Sequence, residues 1–245
     1  MPVTRNAIIV GAPGDAAPSS EMFLGVQADA VSYERFLLSP HGGAWTRNEI
    51  IQLWHPGAAK LAAFLNSITC DYSVTVFCGH GARYQGQPVI ETNPNETMYV
   101  SDFRTSSKRQ LTIIDACQVE VEPRALLKEK VAGIGAPPDP YWDSCRALYD
   151  AGIMGVGEMR ALWNGCKMGQ VSGSNPLGGY FSHTLLTTCQ SWARQARGLN
   201  PTASRMLTIR EVHDGVGPKV TQLYYPQEPT LESGRSHTSF PFLVA

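Results

Sequence analysis

Short apolar segments separated by helical patterns constrain the fold of this chain more than any other feature. Four of them are mostly continuous and rich in β-branched or aromatic residues, as are strands buried on both faces of a parallel sheet. They are AIIV (7–10), VTVF (74–77), LTII (111–114) and the less regular ALWNGCKMGQ (161–170).

Helical patterns alternate with these strands. Residues 29–39, 58–67 and 179–195 place apolar side chains three or four positions apart, as one buried helix face requires. The alternation predicts an α/β fold with a mostly parallel sheet covered by helices on both faces, a three-layer α/β/α architecture. A length of 245 residues is compatible with a single domain over 1–245. Long loops rich in Gly, Pro and Ser, often functional, are predicted at 11–20, 86–96, 133–140 and 171–179.

Charge and known motifs narrow the function classes. The chain has 20 Lys and Arg against 21 Asp and Glu, so no global field favours nucleic acid or a membrane as a partner. Neither an apolar run of membrane-spanning length nor a signal peptide is evident, which favours a cytoplasmic protein. Phosphate-binding loops and the G-x-S-x-G elbow of serine hydrolases are absent as well. The remaining candidate chemistry is that of sulfur and imidazole.

Two predicted strands end in residues that can carry such chemistry. Six cysteines show no C-x-x-C pair and no spacing typical of zinc, so we expect free thiols and neither metal nor cofactor. One strand ends in FCGHG (77–81) and another in IIDACQ (113–118). Because the crevice of an open parallel sheet lies at the carboxyl ends of its strands, His80 and Cys117 can form a dyad in which the imidazole activates the thiol. The N–H groups of Gly81 and Cys117 are then candidates for an oxyanion hole.

Side chains two apart on a strand point the same way, so Asp115 should face the pocket of Cys117, and Cys78 should share a face with His80. A buried carboxylate needs partners, and two interpretations remain open. Loop N–H groups can satisfy Asp115, or the pocket can receive a cationic substrate side chain, with Arg favoured by its bidentate geometry and Lys as a point charge. Cys117 and His80 likewise have simpler interpretations, as a buried small hydrophobe and as a histidine in a glycine turn.

Taken together, several segments resemble the motifs of caspase-fold cysteine peptidases, the group of caspases, paracaspases and metacaspases, and most of all bacterial caspase-like or metacaspase-like proteases. The resemblance covers nearly the whole chain and implies a caspase-like fold, with Cys117 as nucleophile, His80 as general acid/base and Gly81 as an oxyanion amide. The matching segments are, in order, AIIVGAP, GVQADAVSYERFLL, FCGHG, IIDACQ, GGYFSHTLL, PQEPTL and FPFLVA.

The resemblance also implies a specificity. Metacaspase-like members cleave after Arg or Lys with two acids that align with Asp29 and Asp115, and Cys78 occupies the place of a pocket-lining residue. Phe23 stands where caspases carry an arginine, which disfavours cleavage after Asp. An N-cap of the following helix is the alternative interpretation of Asp29.

We therefore predict a cysteine endopeptidase that acts on protein substrates through a thioester. The alternative is a catalytically silent caspase-fold module that binds a partner, favoured by Gln118, Val119 and Glu120, since the family usually has a small residue and glycine after the nucleophile. Val26 is a separate departure from the family pattern, in place of the usual cysteine or small residue before Asp29. The resemblance further suggests a role in bacterial defence or cell death, with a pore-forming protein as one substrate.

Self-cleavage after the nucleophile strand is a further hypothesis. The segment 119–140 contains Arg124, Lys128 and Lys130, each of which could precede a scissile bond. The same stretch includes RALLKEKV, which also fits a short helix.

Overall fold

The computed structural model describes residues 2–119, 140–199, 205–234 and 238–244. The hypothesis of self-cleavage at Arg124, Lys128 or Lys130 lies outside these residues. The described helices are α1 (Glu21–Leu38), α2 (Ala58–Ser67), α3 (Pro140–Met154), α4 (Tyr180–Leu199) and α5 (Ile209–Leu223). The described strands are β1 (Arg5–Ala12), β2 (Ile50–Trp54), β3 (Tyr72–Gly79), β4 (Gly81–Tyr84), β5 (Gln87–Asn93), β6 (Glu96–Tyr99), β7 (Arg109–Asp115), β8 (Met159–Asn164), β9 (Ser174–Asn175), β10 (Gly178–Gly179), β11 (Met206–Thr208), β12 (Thr230–Ser233) and β13 (Pro241–Val244).

A six-stranded sheet organises the described chain, in the order β12-β8-β7-β3-β1-β2. Only β12 runs antiparallel to its neighbour, and the other pairs are parallel. β3 and β7 occupy the centre, so their carboxyl ends lie side by side. A separate antiparallel sheet, β4-β5-β6, follows β3 directly and stands beside that end.

Alternating side chains build a core on each face of the sheet. In β1, Ala7 and Ile9 belong to the cluster that contains the buried residues of α1, α4 and α5, whereas Ile8 and Val10 pack with Leu61 of α2 on the opposite face. This period-two division is what strands buried on both sides require. The predicted three-layer α/β/α fold is confirmed.

Several sequence-based boundaries need correction. The fourth predicted strand, 161–170, is β8 and ends at Asn164, where a turn toward the site begins. Residues 86–96, predicted as a loop, form β5 and the start of β6. The edge strand β2 was not predicted, because its half-buried residues lack the continuous apolar pattern of the central strands.

Helix α1 begins earlier than its apolar pattern indicated. Ser20 is the N-cap, and its hydroxyl accepts a hydrogen bond from the N–H of Phe23. Asp29 therefore lies well inside the helix, and its interpretation as an N-cap is wrong. None of the described helices combines the length and the apolar character needed to cross a membrane.

Candidate active site

The carboxyl ends of β3 and β7 bring the predicted site residues together. Cys78 of β3 is aligned with Asp115 of β7, and each strand then turns into the loop that carries His80 or Cys117. Gly79 permits the first turn, because a Cβ there would overlap the carbonyl oxygen of Ala12.

A cavity of about 100 Å³ lies at this edge of the sheet. It is lined by residues from the ends of β3 and β7, from α1 and from the 172–179 segment. They are Met22, Val26, Asp29, Gly79, His80, Asp115, Cys117, Ser172, Gly173, Ser174 and Gly179. Larger and more open grooves of about 650 and 610 Å³ lie elsewhere on the described surface, and neither contains Cys117 or His80.

Cys117 is a half-buried free thiol. Its Sγ donates a hydrogen bond to the carbonyl oxygen of Ser172 at 3.5 Å. Burial raises the pKa of this thiol above its ordinary value. The resting group is therefore the neutral thiol, which needs a base to become a nucleophile. His80 lines the same cavity and has an exposed side chain.

Asp115 is a buried carboxylate held by hydrogen bonds. Its Oδ1 accepts from the hydroxyl of Ser172 at 2.5 Å, and its Oδ2 accepts from the N–H of Ser182 at 2.9 Å. Burial nevertheless raises its pKa, since these bonds only partly replace water. The expectation of loop N–H partners needs correction: the backbone N–H comes from Ser182 in the first turn of α4, and the loop contributes the hydroxyl of Ser172.

Asp29 lines the same cavity and lies near enough to Asp115 to be affected by its charge. Its Oδ2 accepts the N–H of Gly179 at 2.8 Å, which ties α1 to β10. Burial and the nearby charge of Asp115 both raise the pKa of Asp29. Glycine is required at both strand positions, because a Cβ on Gly178 would overlap Asp29 and a Cβ on Gly179 would overlap Asp115.

Two other predicted site residues lie just outside the lining of this cavity. Cys78 is fully buried beside Asp115, and burial raises its pKa well above the ordinary value. Gly81 begins β4, and a Cβ there would come within 2.6 Å of the Cβ of Ala116 and 2.8 Å of the carbonyl oxygen of Cys117. Its backbone therefore lies closer to Ala116 and Cys117 than a residue with a side chain would allow.

The unusual residues after Cys117 are anchored. Gln118 is buried, its N–H donates to the carbonyl of Gln170 at 2.9 Å, and its side chain donates to the carbonyl of Cys166 at 3.0 Å. The carbonyl of Val119 accepts from the N–H of Arg83 at 2.9 Å. Glu120 lies outside the described residues. The backbone that follows the thiol is thus fixed to the turn after β8 and to the hairpin β4-β5.

Ser172 was missed by the sequence-based analysis, although it touches both the thiol and Asp115. The Gly-, Pro- and Ser-rich composition of its loop was the available signal, because such loops at a strand's carboxyl end often carry function. Within the described part of the chain, no cluster of His, Cys, Asp or Glu is arranged to hold a metal ion.

Comparisons with known proteins bear on the fold. No family model matches the sequence, and no curated protein matches it either. Among solved structures the chain is similar to the crystal structure of caspase-1 from Spodoptera frugiperda, with 13% sequence identity, a TM-score of 0.59, and coverage of 98% of this chain and 88% of that one. At this identity the likeness shows the fold alone. The described chain has a caspase-like fold.

Proposed function

We propose that this chain is a cysteine endopeptidase that cleaves protein substrates after Arg or Lys. One observation carries the proposal: Cys117, His80, Asp29 and Asp115 line a single cavity at the carboxyl edge of the sheet. A thiol, a base and paired acids at one place are the groups that such a reaction requires.

The chemistry assigns a role to each group. His80 takes the proton of the Cys117 thiol as sulfur bonds to the scissile carbonyl carbon. The carbon–nitrogen bond then breaks while His80 returns the proton to the departing amine, and water hydrolyses the thioester. The N–H groups of Gly81 and Cys117 stabilise the oxygen that becomes negative.

The acids account for the proposed specificity. An ionised carboxylate has about four acceptor sites, and the bonds to Ser172, Ser182 and Gly179 leave capacity on Asp29 and Asp115 for a cationic side chain. Arginine suits such a site because its planar fork binds carboxylates bidentately.

Cleavage after Asp would instead need a cation at the pocket. Phe23 does not supply one, and its ring stacks on that of Trp54 at a centroid distance of 6.0 Å. This arrangement agrees with a metacaspase-like specificity. A bacterial defence role and a pore-forming substrate stay predictions from the resemblance.

Peptide cleavage tests the proposal. Fluorogenic peptides that differ only in carrying Arg, Lys, Asp or Leu before the scissile bond are incubated with the protein and with Cys117→Ala. We expect release from the Arg and Lys peptides only, and none from the variant.

The other outcomes are informative. Cleavage after Asp or Leu would retain the dyad and remove the specificity roles of Asp29 and Asp115. Activity that survives in Cys117→Ala would exclude this thiol as nucleophile. Silence on every peptide, with and without calcium, would favour the partner-binding module.

A further inference from the structure

The register of the hairpin after β3 places a carboxylate beside the candidate base. The N–H of Glu91 in β5 donates to the carbonyl of His80 at 3.0 Å, and the next pair along the hairpin is Gly81 with Ile90. Directly opposed residues of an antiparallel pair have side chains on one face, with Cβ atoms about 5 Å apart. Backbone pairing alone therefore sets the side chains of Glu91 and His80 next to each other.

Gly14, in the turn after β1, lies against both side chains and adjoins the Cδ2–Nε2 edge of the imidazole. A Cβ on Gly14 would lie 2.7 Å from Cδ2 and 3.2 Å from Nε2 of His80, and 2.9 Å from Oε1 of Glu91. The same small volume is thus bounded by the Nε2 edge of the ring and by the carboxylate. Gly14 has a φ of +67°, so this turn favours glycine on conformational grounds as well.

The charges around Glu91 favour this pairing. Glu91 is half-buried, and burial raises its pKa, while a positive charge on His80 lowers it and the carboxylate of Asp15 raises it. A carboxylate in this position is therefore stabilised most when the imidazole carries a proton. That is the state His80 passes through during thiol attack in the mechanism proposed above.

We propose that Glu91 is the positioning residue of His80, holding its Nε2 edge so that Nδ1 is presented to the Cys117 thiol and stabilising the imidazolium once Nδ1 has taken the proton. The proposal rests on the proposed cysteine peptidase function. A carboxylate behind the imidazole is a general means of fixing the tautomer and ring orientation of a catalytic base. In this chain it comes from β5, outside the strand ends that carry the dyad.

The test compares Glu91→Gln, which removes the charge at constant size, with Glu91→Asp, which keeps it. Asp15→Asn is the matched control, because it removes the other carboxylate that interacts with Glu91. Each protein is assayed on the Arg peptide across pH, and the imidazole of His80 is titrated by NMR in the Cys117→Ala background. Thermal unfolding of every variant monitors folding.

We expect Glu91→Gln to lower kcat roughly 10- to 100-fold with little change in KM, within the range that general acid–base catalysis supplies. The acidic limb of its pH profile and the NMR titration of His80 should both move to lower pH, because a neighbouring negative charge that favours the protonated imidazole has been removed. Glu91→Asp should recover part of kcat, and Asp15→Asn should change it less than about threefold.

Two results would overturn the proposal: an unchanged titration midpoint of His80 in Glu91→Gln, or an equal loss of kcat in Asp15→Asn. The NMR titration does not depend on turnover. If the unaltered protein cuts no peptide, the proposed function fails, and the midpoint still decides whether Glu91 interacts with His80.

Discussion

Acidic side chains lie at both ends of the central sheet, but different groups compensate their charge at the two ends. At the amino end, Arg5 has a fully buried side chain and contacts Glu49 at 3.4 Å and Asp150 at 3.0 Å. Its guanidinium also donates to the carbonyl of Gly43 at 2.9 Å and lies 4.5 Å from the ring centre of Trp45. The chain itself supplies the cation at this end.

At the carboxyl end, Asp29 and Asp115 are at least as deeply buried. Their hydrogen bonds come from backbone N–H groups and from the hydroxyl of Ser172. Among the residues that the structure describes, no lysine or arginine pairs with either acid. At this end, the described part of the chain holds two neighbouring acids without a basic side chain bound to them.

The pKa values of the acids differ between the two ends. Burial opposes ionisation of Glu49, but hydrogen bonds from Arg146 and from the N–H of Thr46, with the charge of Arg5, outweigh it and lower its pKa to about 2. For Asp29 and Asp115 burial prevails, and both pKa values are raised. One end of the sheet therefore pairs its acids within the chain, while the other holds two buried acids that, under the proposed function, would receive the cation of a substrate.

Removing the Arg5 guanidinium should have the largest effect on the free energy of unfolding. Arg5→Met leaves the partly buried carboxylates of Glu49 and Asp150 with Arg146 as their remaining basic partner, so we expect a loss of about 3 kcal/mol of unfolding free energy, at the lower end for a broken buried pair. Urea denaturation measures it. The control is Lys108→Met, which breaks an exposed pair with Glu158 and should cost at most about 1 kcal/mol. Equal losses would show that the amino-end cluster is no more stabilising than a surface pair.

The pH dependence of stability should have opposite sign at the two ends. The pKa of Glu49 is lowered from 4.5 to about 2 on folding, so its contribution is present above pH 4.5 and is lost as the pH falls toward 2. Glu49→Gln should therefore cost about 3 kcal/mol at pH 7 and little near pH 2.

Asp115 should behave in the reverse way. Its pKa is raised from 3.8, so its ionisation progressively destabilises the folded protein as the pH rises above 3.8 through the raised value. The loss of unfolding free energy in Asp115→Asn, relative to the unaltered protein, should accordingly be smallest at neutral pH. Urea denaturation of both variants at several pH values is the measurement, and a deficit of Glu49→Gln that persists undiminished at pH 2 would contradict the comparison.

If the proposed specificity holds, efficient cleavage of a peptide with a cationic side chain should require the acids at the carboxyl end of the sheet. We expect Asp115→Asn to lower kcat/KM for an Arg peptide about 100-fold, because removing one partner of a buried charge pair costs about 2–5 kcal/mol. The matched substrate carries citrulline, which has the shape of arginine without its charge. The variant should lose most of the preference for Arg over citrulline. An undiminished preference would mean that Asp115 does not bind the cation.

The sequence predicted the parts of this arrangement that lie on continuous strands. The apolar runs of β3 and β7 end at FCGHG and IIDACQ, so the placement of Cys117, His80 and Asp115 at one edge follows from the rule for parallel sheets. Asp29 was assigned from the resemblance. Its position in the middle of α1 depends on the Ser20 cap, which the apolar pattern did not reveal.

The remaining contacts depend on tertiary structure. Glu91 lies in a segment rich in Pro, Asn and Gly, which are loop-forming residues, yet pairing with β4 makes this segment a strand. Ser172 reaches Asp115 from a segment that is held by distant residues, since Gln118 binds the carbonyl of Gln170 and Gln227 binds the Ser172 hydroxyl. The ion pairs of Arg5 at the amino end could not be predicted for the same reason, since Arg5 and Asp150 are far apart in sequence. Local patterns could not indicate any of these contacts.

The smallest expected effect concerns Cys78, which lies directly beside Asp115 on the neighbouring strand. Cys78→Ser introduces a buried hydroxyl, and an acid without a cation offers it an acceptor. We therefore expect Cys78→Ser to be about 1 kcal/mol more stable than Cys78→Ala in urea denaturation at pH 7, as one net hydrogen bond provides. If Cys78→Ser is instead the less stable of the two, its hydroxyl has found no partner, and the acceptors of Asp115 at this edge are already saturated within the chain.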